Sequence, residues 1–401
     1  MAAPEGERIH ALDALRAAAM FLGIALHAGI VFGTMAPLPG VGTDVSKHWV
    51  FDVFLGIIHG FRMHLFFFLS GFFGRLLHER LGTRGFIRQR LRRIGIPFAL
   101  GMVTVMPMVV VLALWELARA GQPIPTMEGA NGQSGVPTMH LWFLLYLLYL
   151  YAGALILTAA GDRMPRFLQL GDRIFRLVIA GPWRIGVFAP LAILFLWSGP
   201  WWGEPKLPVF GLTPVSPTFC HYASFFAAGW WLHRNRDLLL ELKRFVPISV
   251  AIAMVAFGLQ VALAPMEKEA APGDALGGKT AMLFCAGVYS WSMTFAMTGA
   301  FLSFASEGRP WVRYLADASY WCYLAHLPVV MLLQIWMANW QWPAIIKFSL
   351  MMLLTMAVLL ATYHWRVRYT WVGTLLNGPR ERPPKLSIGI ESAVKPTTLG
   401  A

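Results

Sequence analysis

The chain has 401 residues, of which 57% are hydrophobic and 13% charged, against roughly a quarter charged in an average soluble domain. So few charges cannot cover a soluble globule of this size. With 17 Trp, 28 Phe, 20 Met and a mean hydropathy of +0.58, the composition excludes a soluble protein and indicates an integral membrane protein. The net charge of +13 must then be tested first against membrane topology, before nucleic acid is considered.

In chain order, apolar runs long enough to cross a bilayer fall near 14–34, 50–75, 94–116, 140–160 and 180–198. Five more fall near 216–233, 246–264, 281–305, 315–337 and 343–364. The runs are continuously apolar, whereas barrel strands alternate, so a β-barrel is excluded. The expectation is an all-α polytopic protein of about ten transmembrane helices. Of the 33 Lys and Arg, 26 lie in the terminal segments and in the loops after even-numbered helices, six in the other loops, and Arg62 within a helix. That asymmetry predicts both termini in the cytoplasm and explains the net charge without nucleic acid.

The first run is a full span with no small-residue cleavage site after it, so it reads as a retained helix. Residues 1–376 read as one membrane domain. Residues 377–401, with Pro379, Pro383, Pro384 and Pro396, read as a disordered cytoplasmic tail. Cys220, Cys285 and Cys322 sit in apolar stretches and form neither a disulfide framework nor a zinc pattern. Residues Gly273 to Thr280 have P-loop letters, but no strand precedes them and they lie away from the cytoplasm.

Ionisable residues inside a bilayer are costly and mark site candidates. Arg16 and His27 are 11 residues apart, about 20° from three full turns, so they share a helix face about 16 Å apart. Arg16 lies near the cytoplasmic mouth, where a snorkelling role is equally open, and His27 lies beyond mid-bilayer. Counting residues inward from the cytoplasmic edge puts Arg62 and His326 at about the depth of His27, roughly 20 Å. Three groups from three helices are therefore expected near one plane. His64 points to another face than Arg62, and His59 more nearly shares it. The basic run through Arg84, Arg88, Arg90, Arg92 and Arg93 fits either the phosphates of a cytosolic cofactor or anionic lipid. His140, Trp142 and Tyr146 open the fourth helix, where an aromatic belt is expected and where rings are also placed to stack on a sugar.

Leu12 to Arg16, followed by ten residues and His27, resembles the Arg-x10-His signature of membrane acyltransferase family 3. Further matches are Phe66-Phe67-Phe68-Leu69-Ser70-Gly71, the Arg-rich 86–94 with Pro97, His140-Leu141-Trp142, and Ser319-Tyr320 with Tyr323 and His326. Phe61-Arg62-Met63 ahead of the Phe-rich run resembles the branch that succinylates osmoregulated periplasmic glucans. The resemblance implies a multi-pass enzyme of the bacterial inner membrane, with acyl-CoA, succinyl-CoA above all, as cytoplasmic donor substrate and no tightly bound cofactor or metal. A glucan or other envelope carbohydrate would be the acceptor, with glucan-synthesis proteins as further partners. The esterase-like domain fused to some family members is absent, so transfer would be completed within the membrane.

On this reading His27 is the general base, with a covalent acyl-histidine as a variant. Arg62 stabilises the oxyanion or pairs with a succinyl carboxylate, and His326 orients one of these groups. Arg16, Arg90 and Arg93 hold CoA phosphates, and His140 and Trp142 meet the sugar. Two alternatives stay open: an O-acetyltransferase acting on another envelope polysaccharide, and a carrier that uses the same buried cations to export an anionic or glycolipid substrate.

Overall fold

The computed structural model describes residues 10–34, 42–121, 135–181, 183–265 apart from 202, 204, 207 and 208, 274–305, and 307–379. Nearly all of these are helical, and the β-pairing among them is an isolated antiparallel bridge between Pro137 and Phe210. The helices are α1 His10–Gly29, α2 Trp49–Arg90, α3 Ile96–Arg119, α4 Trp142–Asp162, α5 Pro165–Ile179, α6 Arg184–Phe188 and α7 Pro190–Leu196. They continue with α8 Ser216–Arg234, α9 Leu239–Arg244, α10 Val246–Leu263, α11 Asp274–Phe304, α12 Pro310–Met337, α13 Ala344–Thr362 and α14 Trp371–Asn377.

Seven helical stretches among the described residues are long and apolar enough to cross a membrane. One of them, the 71 residues Trp49–Arg119, holds both the second and the third expected spans as a hairpin broken at Gly82, whose second arm runs through a π-helical stretch at Leu91–Gly95 into α3. The expected spans at 180–198 and 216–233 do not reach that standard. The first is divided into the short α6 and α7, the latter opened by Pro190, and α8 carries His221, His233 and Arg234 among its apolar residues.

Where the apolar run of α2 ends near Arg75, helix continues on both sides of a break at Gly82, so the Arg-rich segment up to Arg90 is helical. Its direction changes at Gly82, whose φ of 64° only glycine adopts without strain. The segment expected as a basic loop near 163–184 contains the amphipathic α5, with Phe167, Leu170, Ile174 and Leu177 exposed along one stripe. Its other side is fastened to the end of α8: Asp172 accepts from Trp231 Nε1 at 3.0 Å, Arg234 Nε at 2.9 Å and Asn235 Nδ2 at 3.1 Å. Partial burial raises the pKa of this carboxyl, and the bonds from Arg234, Asn235 and Trp231 outweigh that and hold it below the usual range. An outward apolar stripe with arginines beside it is the pattern of a helix lying in the membrane interface.

The centre of the bundle is the crossing of α2 and α8. A β-carbon on Gly71 would collide with the Phe226 carbonyl, and one on Gly229 with the Phe68 carbonyl, so small residues let the two backbones touch. Within α2 this places Phe67, stacked on Tyr222 at 4.6 Å, and Phe68 in the core. Helix α1 packs against α2, α11 and α12. Asn377, placed by the sequence at the start of the tail, ends α14 and its Nδ2 donates to the Asp317 carbonyl at 2.8 Å. The tail from residue 380 lies outside the described residues.

On the side opposite the Arg-rich hairpin, Lys347 Nζ and Asp44 Oδ2 stand 2.6 Å apart with side chains 0% and 1% exposed. Removing one partner of such a pair leaves an uncompensated buried charge and costs about 3–5 kcal/mol, whereas replacing both by apolar groups is often neutral. Lys347→Met alone is therefore expected to lower the denaturation midpoint of the detergent-solubilised protein strongly, and Lys347→Met with Asp44→Leu to restore most of it. Equal losses in the two variants would contradict this.

Candidate active site

Three histidines from separate elements meet in the interior. The ring centroids of His27 in α1 and His326 in α12 are 5.1 Å apart, and His140 before α4 lies 5.2 Å from His326. A carbonyl can only accept, so His326 Nδ1–H donates to the Tyr323 carbonyl at 2.7 Å, and His140 Nε2–H to the Leu324 carbonyl at 3.3 Å. Each ring is left with one lone-pair nitrogen. His326 Nε2 and His140 Nδ1 are buried without a hydrogen-bond partner among the described residues. His326 and His140 are buried, whereas His27 keeps accessible surface.

The neighbours of the cluster hold it in register. Gln334 Nε2 donates to the main-chain carbonyl of His27 at 2.7 Å, clamping α1 to α12 at this level. The Tyr323 hydroxyl donates to the His140 carbonyl at 2.7 Å. His140 follows Met139, a non-glycine residue at φ 39°, a strained conformation held by bonds from the amides of Thr138 and Met139 to the Val209 carbonyl.

Arg62 in α2 completes the site. Its guanidinium lies against Gly23, one turn before His27, where a β-carbon would collide with Nη1. Its Nε is buried without a partner, its hydrogen-bond contact is with Met63 Sδ at 3.6 Å, and among the described residues it has no ion-pair partner. A structural ion pair, the plainest explanation of a charge at that depth, is not found there. Tyr222 and Tyr323 are its polar neighbours, while His59 lies near both His27 and His64.

Toward the Arg-rich hairpin, the other predicted cations gather around Tyr320. The Tyr320 hydroxyl donates to the Arg93 carbonyl at 2.6 Å, and Arg90, Arg92 and Arg16 are charged neighbours of the Arg93 guanidinium. Arg90 Nη1 donates to the Tyr151 hydroxyl at 3.3 Å, and its guanidinium lies 5.0 Å from the centre of the Tyr151 ring. Arg16 pairs with Asp13 at 3.2 Å, lies 5.5 Å from the centre of the Phe73 ring, and keeps 41% of its side chain exposed. The rings of Tyr320, Tyr323 and His326 follow one another along α12 at 6.4 Å intervals, a file running from the arginines to the histidines.

Two expectations change. His140, expected at the outer mouth in contact with the sugar, is a member of the histidine cluster. Trp142 is 5% exposed, stacked on Tyr222 at 5.7 Å and edge-on to Tyr146 at 5.1 Å, so its ring is occupied by the core and forms no open surface for a sugar. His64 faces away as expected, with its Nε2 2.9 Å from Nε2 of His221. Lys279 and Thr280 of the P-loop look-alike lie inside α11, and Lys279 Nζ donates to the Gly199 carbonyl at 3.1 Å. Gly273 is outside the described residues. No three His, Cys, Asp or Glu side chains among the described residues are grouped to hold a metal ion.

The signature Arg16 and His27, the Phe-rich run at the α2–α8 crossing and the Tyr320–His326 file thus meet in one structure. The model of an acyltransferase domain, acyltransferase 3, matches residues 9–364. The chain belongs to that family. Over 408 aligned positions it is 23% identical to glucans biosynthesis protein C of Salmonella typhimurium, covering 97% of this chain and all of that one. Glucans biosynthesis protein C of Salmonella typhi matches at the same identity and coverage. No solved structure matches. The protein is therefore a transferase of acyl groups with several membrane helices.

The contact between Gly23 and Arg62 yields a test. Gly23→Ala must push the guanidinium aside, and is expected to lower acyl transfer by less than Arg62→Ala, with the double variant no worse than Arg62→Ala alone. A double variant much worse than Arg62→Ala would show that Gly23 acts through something other than Arg62.

Proposed function

We propose that this protein transfers an acyl group, succinyl in the first place, from cytoplasmic acyl-CoA to hydroxyls of a periplasmic glucan. The protein would lie in the bacterial inner membrane, crossing it ten times, with α6–α7 and α8 as the two less apolar crossings and both termini cytoplasmic. The observation that carries this reading is the file of rings on α12. It joins a cluster of arginines suited to phosphates with an interior cluster that holds an accessible histidine and an unpaired guanidinium.

In the proposed reaction, Arg16, Arg90 and Arg93 hold the CoA phosphates by charge-assisted bonds. The pantetheine arm runs along Tyr320 and Tyr323, an axial distance of about 16 Å by the Arg16–His27 spacing. His27 removes the proton of the sugar hydroxyl as its oxygen attacks the thioester carbonyl carbon. The tetrahedral oxyanion forms beside Arg62, whose charge has no ion-pair partner among the described residues to compete for it. Collapse breaks the carbon–sulfur bond, and the CoA thiolate takes the proton from His27, so protons balance over the cycle. His326 and His140 pack behind His27 and keep its ring in place. The names of the relatives support a glucan acceptor, and the succinyl group follows from the same resemblance.

Mass spectrometry of periplasmic glucans from cells expressing the wild type or His27→Ala at matched levels tests the proposal. The wild type is expected to add succinyl mass and the variant none. An acetyl mass would replace the donor, and acylation that persists in His27→Ala would remove the proposed base.

A further inference from the structure

The sugar-stacking surface absent at Trp142 has a counterpart elsewhere. We infer that the turn between α12 and α13 is an acceptor platform, on which Trp336, Trp340 and Trp342 bind a run of sugar rings and feed one hydroxyl toward His27. The inference rests on the acyl-transfer reading above and adds the site that holds the carbohydrate.

Three observations carry it. The indoles adjoin one another edge to face, with ring centroids 4.7 Å apart at 68° between Trp336 and Trp340 and 5.0 Å apart at 62° between Trp340 and Trp342, so that successive faces are turned in different directions. The outer two are open, Trp336 being 56% and Trp342 48% exposed, while Trp340 between them is half-buried against the core; Asn339 and Gln341 are exposed beside them. The backbone beneath them is fixed. The Ala338 carbonyl accepts from the Val45 amide at 3.3 Å, that of Trp340 from Lys347 Nζ at 2.9 Å, and that of Trp342 from Ser46 Oγ at 2.7 Å.

Val45, Ser46 and Lys347, the last paired with the buried Asp44, together tie this turn down. A surface that binds a ligand gains from being held, because ordering completed on folding is not repeated on binding. The faces of a pyranose present polarised C–H groups, which suit the negative face of an indole, while its edges carry hydroxyls, which suit amides. Three rings in succession fit an oligosaccharide better than a single sugar. The position is also right: Trp336 is ten residues, about 15 Å, beyond His326 on α12, and Gln334 between them holds the His27 carbonyl.

The test uses the full chain in lipid nanodiscs, with a linear gluco-oligosaccharide and methyl glucoside as probes. Binding is read by isothermal titration and by intrinsic fluorescence, and transfer by product mass. Trp342→Ala is expected to weaken oligosaccharide binding about tenfold. It should raise KM for that acceptor equally, leave kcat unchanged, and leave transfer to methyl glucoside unchanged. Trp342→Phe keeps a ring and should retain most of the affinity, and matched melting curves exclude misfolding. Unchanged affinity in Trp342→Ala, or no oligosaccharide binding by the wild type, overturns the platform and leaves these rings as membrane anchors. Tryptophan-dependent binding without any transfer by the wild type keeps the platform and removes the glucan as acyl acceptor instead.

Discussion

A guanidinium held in the interior of a membrane protein without a carboxylate beside it is the constraint on which the site depends. A buried charge is tolerated when paired or when it faces a cavity that an ion can enter. Arg62 has no ion-pair partner among the described residues, and its neighbours are the phenol rings of Tyr222 and Tyr323 and the thioether of Met63. On the acyl-transfer reading proposed above, an anionic ligand supplies that charge, either as the oxyanion of the tetrahedral intermediate or as a succinyl carboxylate.

Much of the surrounding packing follows from placing that cation beside His27. The α2–α8 crossing at Gly71 and Gly229 fixes α2, Gly23 opens the space on α1 that the guanidinium fills, and Gln334 fixes α1 to α12. His326 and His140 spend one ring nitrogen each on carbonyls of α12, which orients them and leaves a buried lone pair on each. At the other end of the bundle, the buried Asp44–Lys347 pair does for the α12–α13 turn what Gln334 does for His27. Polar groups within this fold thus tie specific backbone positions at two levels.

Depth was legible in the sequence because helical rise is uniform. Counting residues from the basic edge put His27, Arg62 and His326 near one plane, and the structure brings them together. Azimuth was legible only within one helix, so His64 was turned away from Arg62 correctly, whereas the approach of His140 depended on the α4–α12 packing and on a strained Met139. Trp142 failed for the same reason: an aromatic residue at a helix start reads identically whether its ring meets Tyr222 or solvent. The amphipathic α5 was hidden by its arginines, which marked a loop, although its apolar residues recur at helical spacing. Gly23, four residues before His27, is the position that periodicity alone would have added.

The central claim is that one buried site joins a donor on one side of the membrane to an acceptor on the other. The direct measurement reconstitutes the protein in sealed vesicles, with acyl-CoA on the face of the Arg-rich hairpin and gluco-oligosaccharide on the opposite face. The account predicts acylated oligosaccharide from separated substrates, and none with His27→Ala. Product formed only when donor and acceptor share a compartment would contradict it.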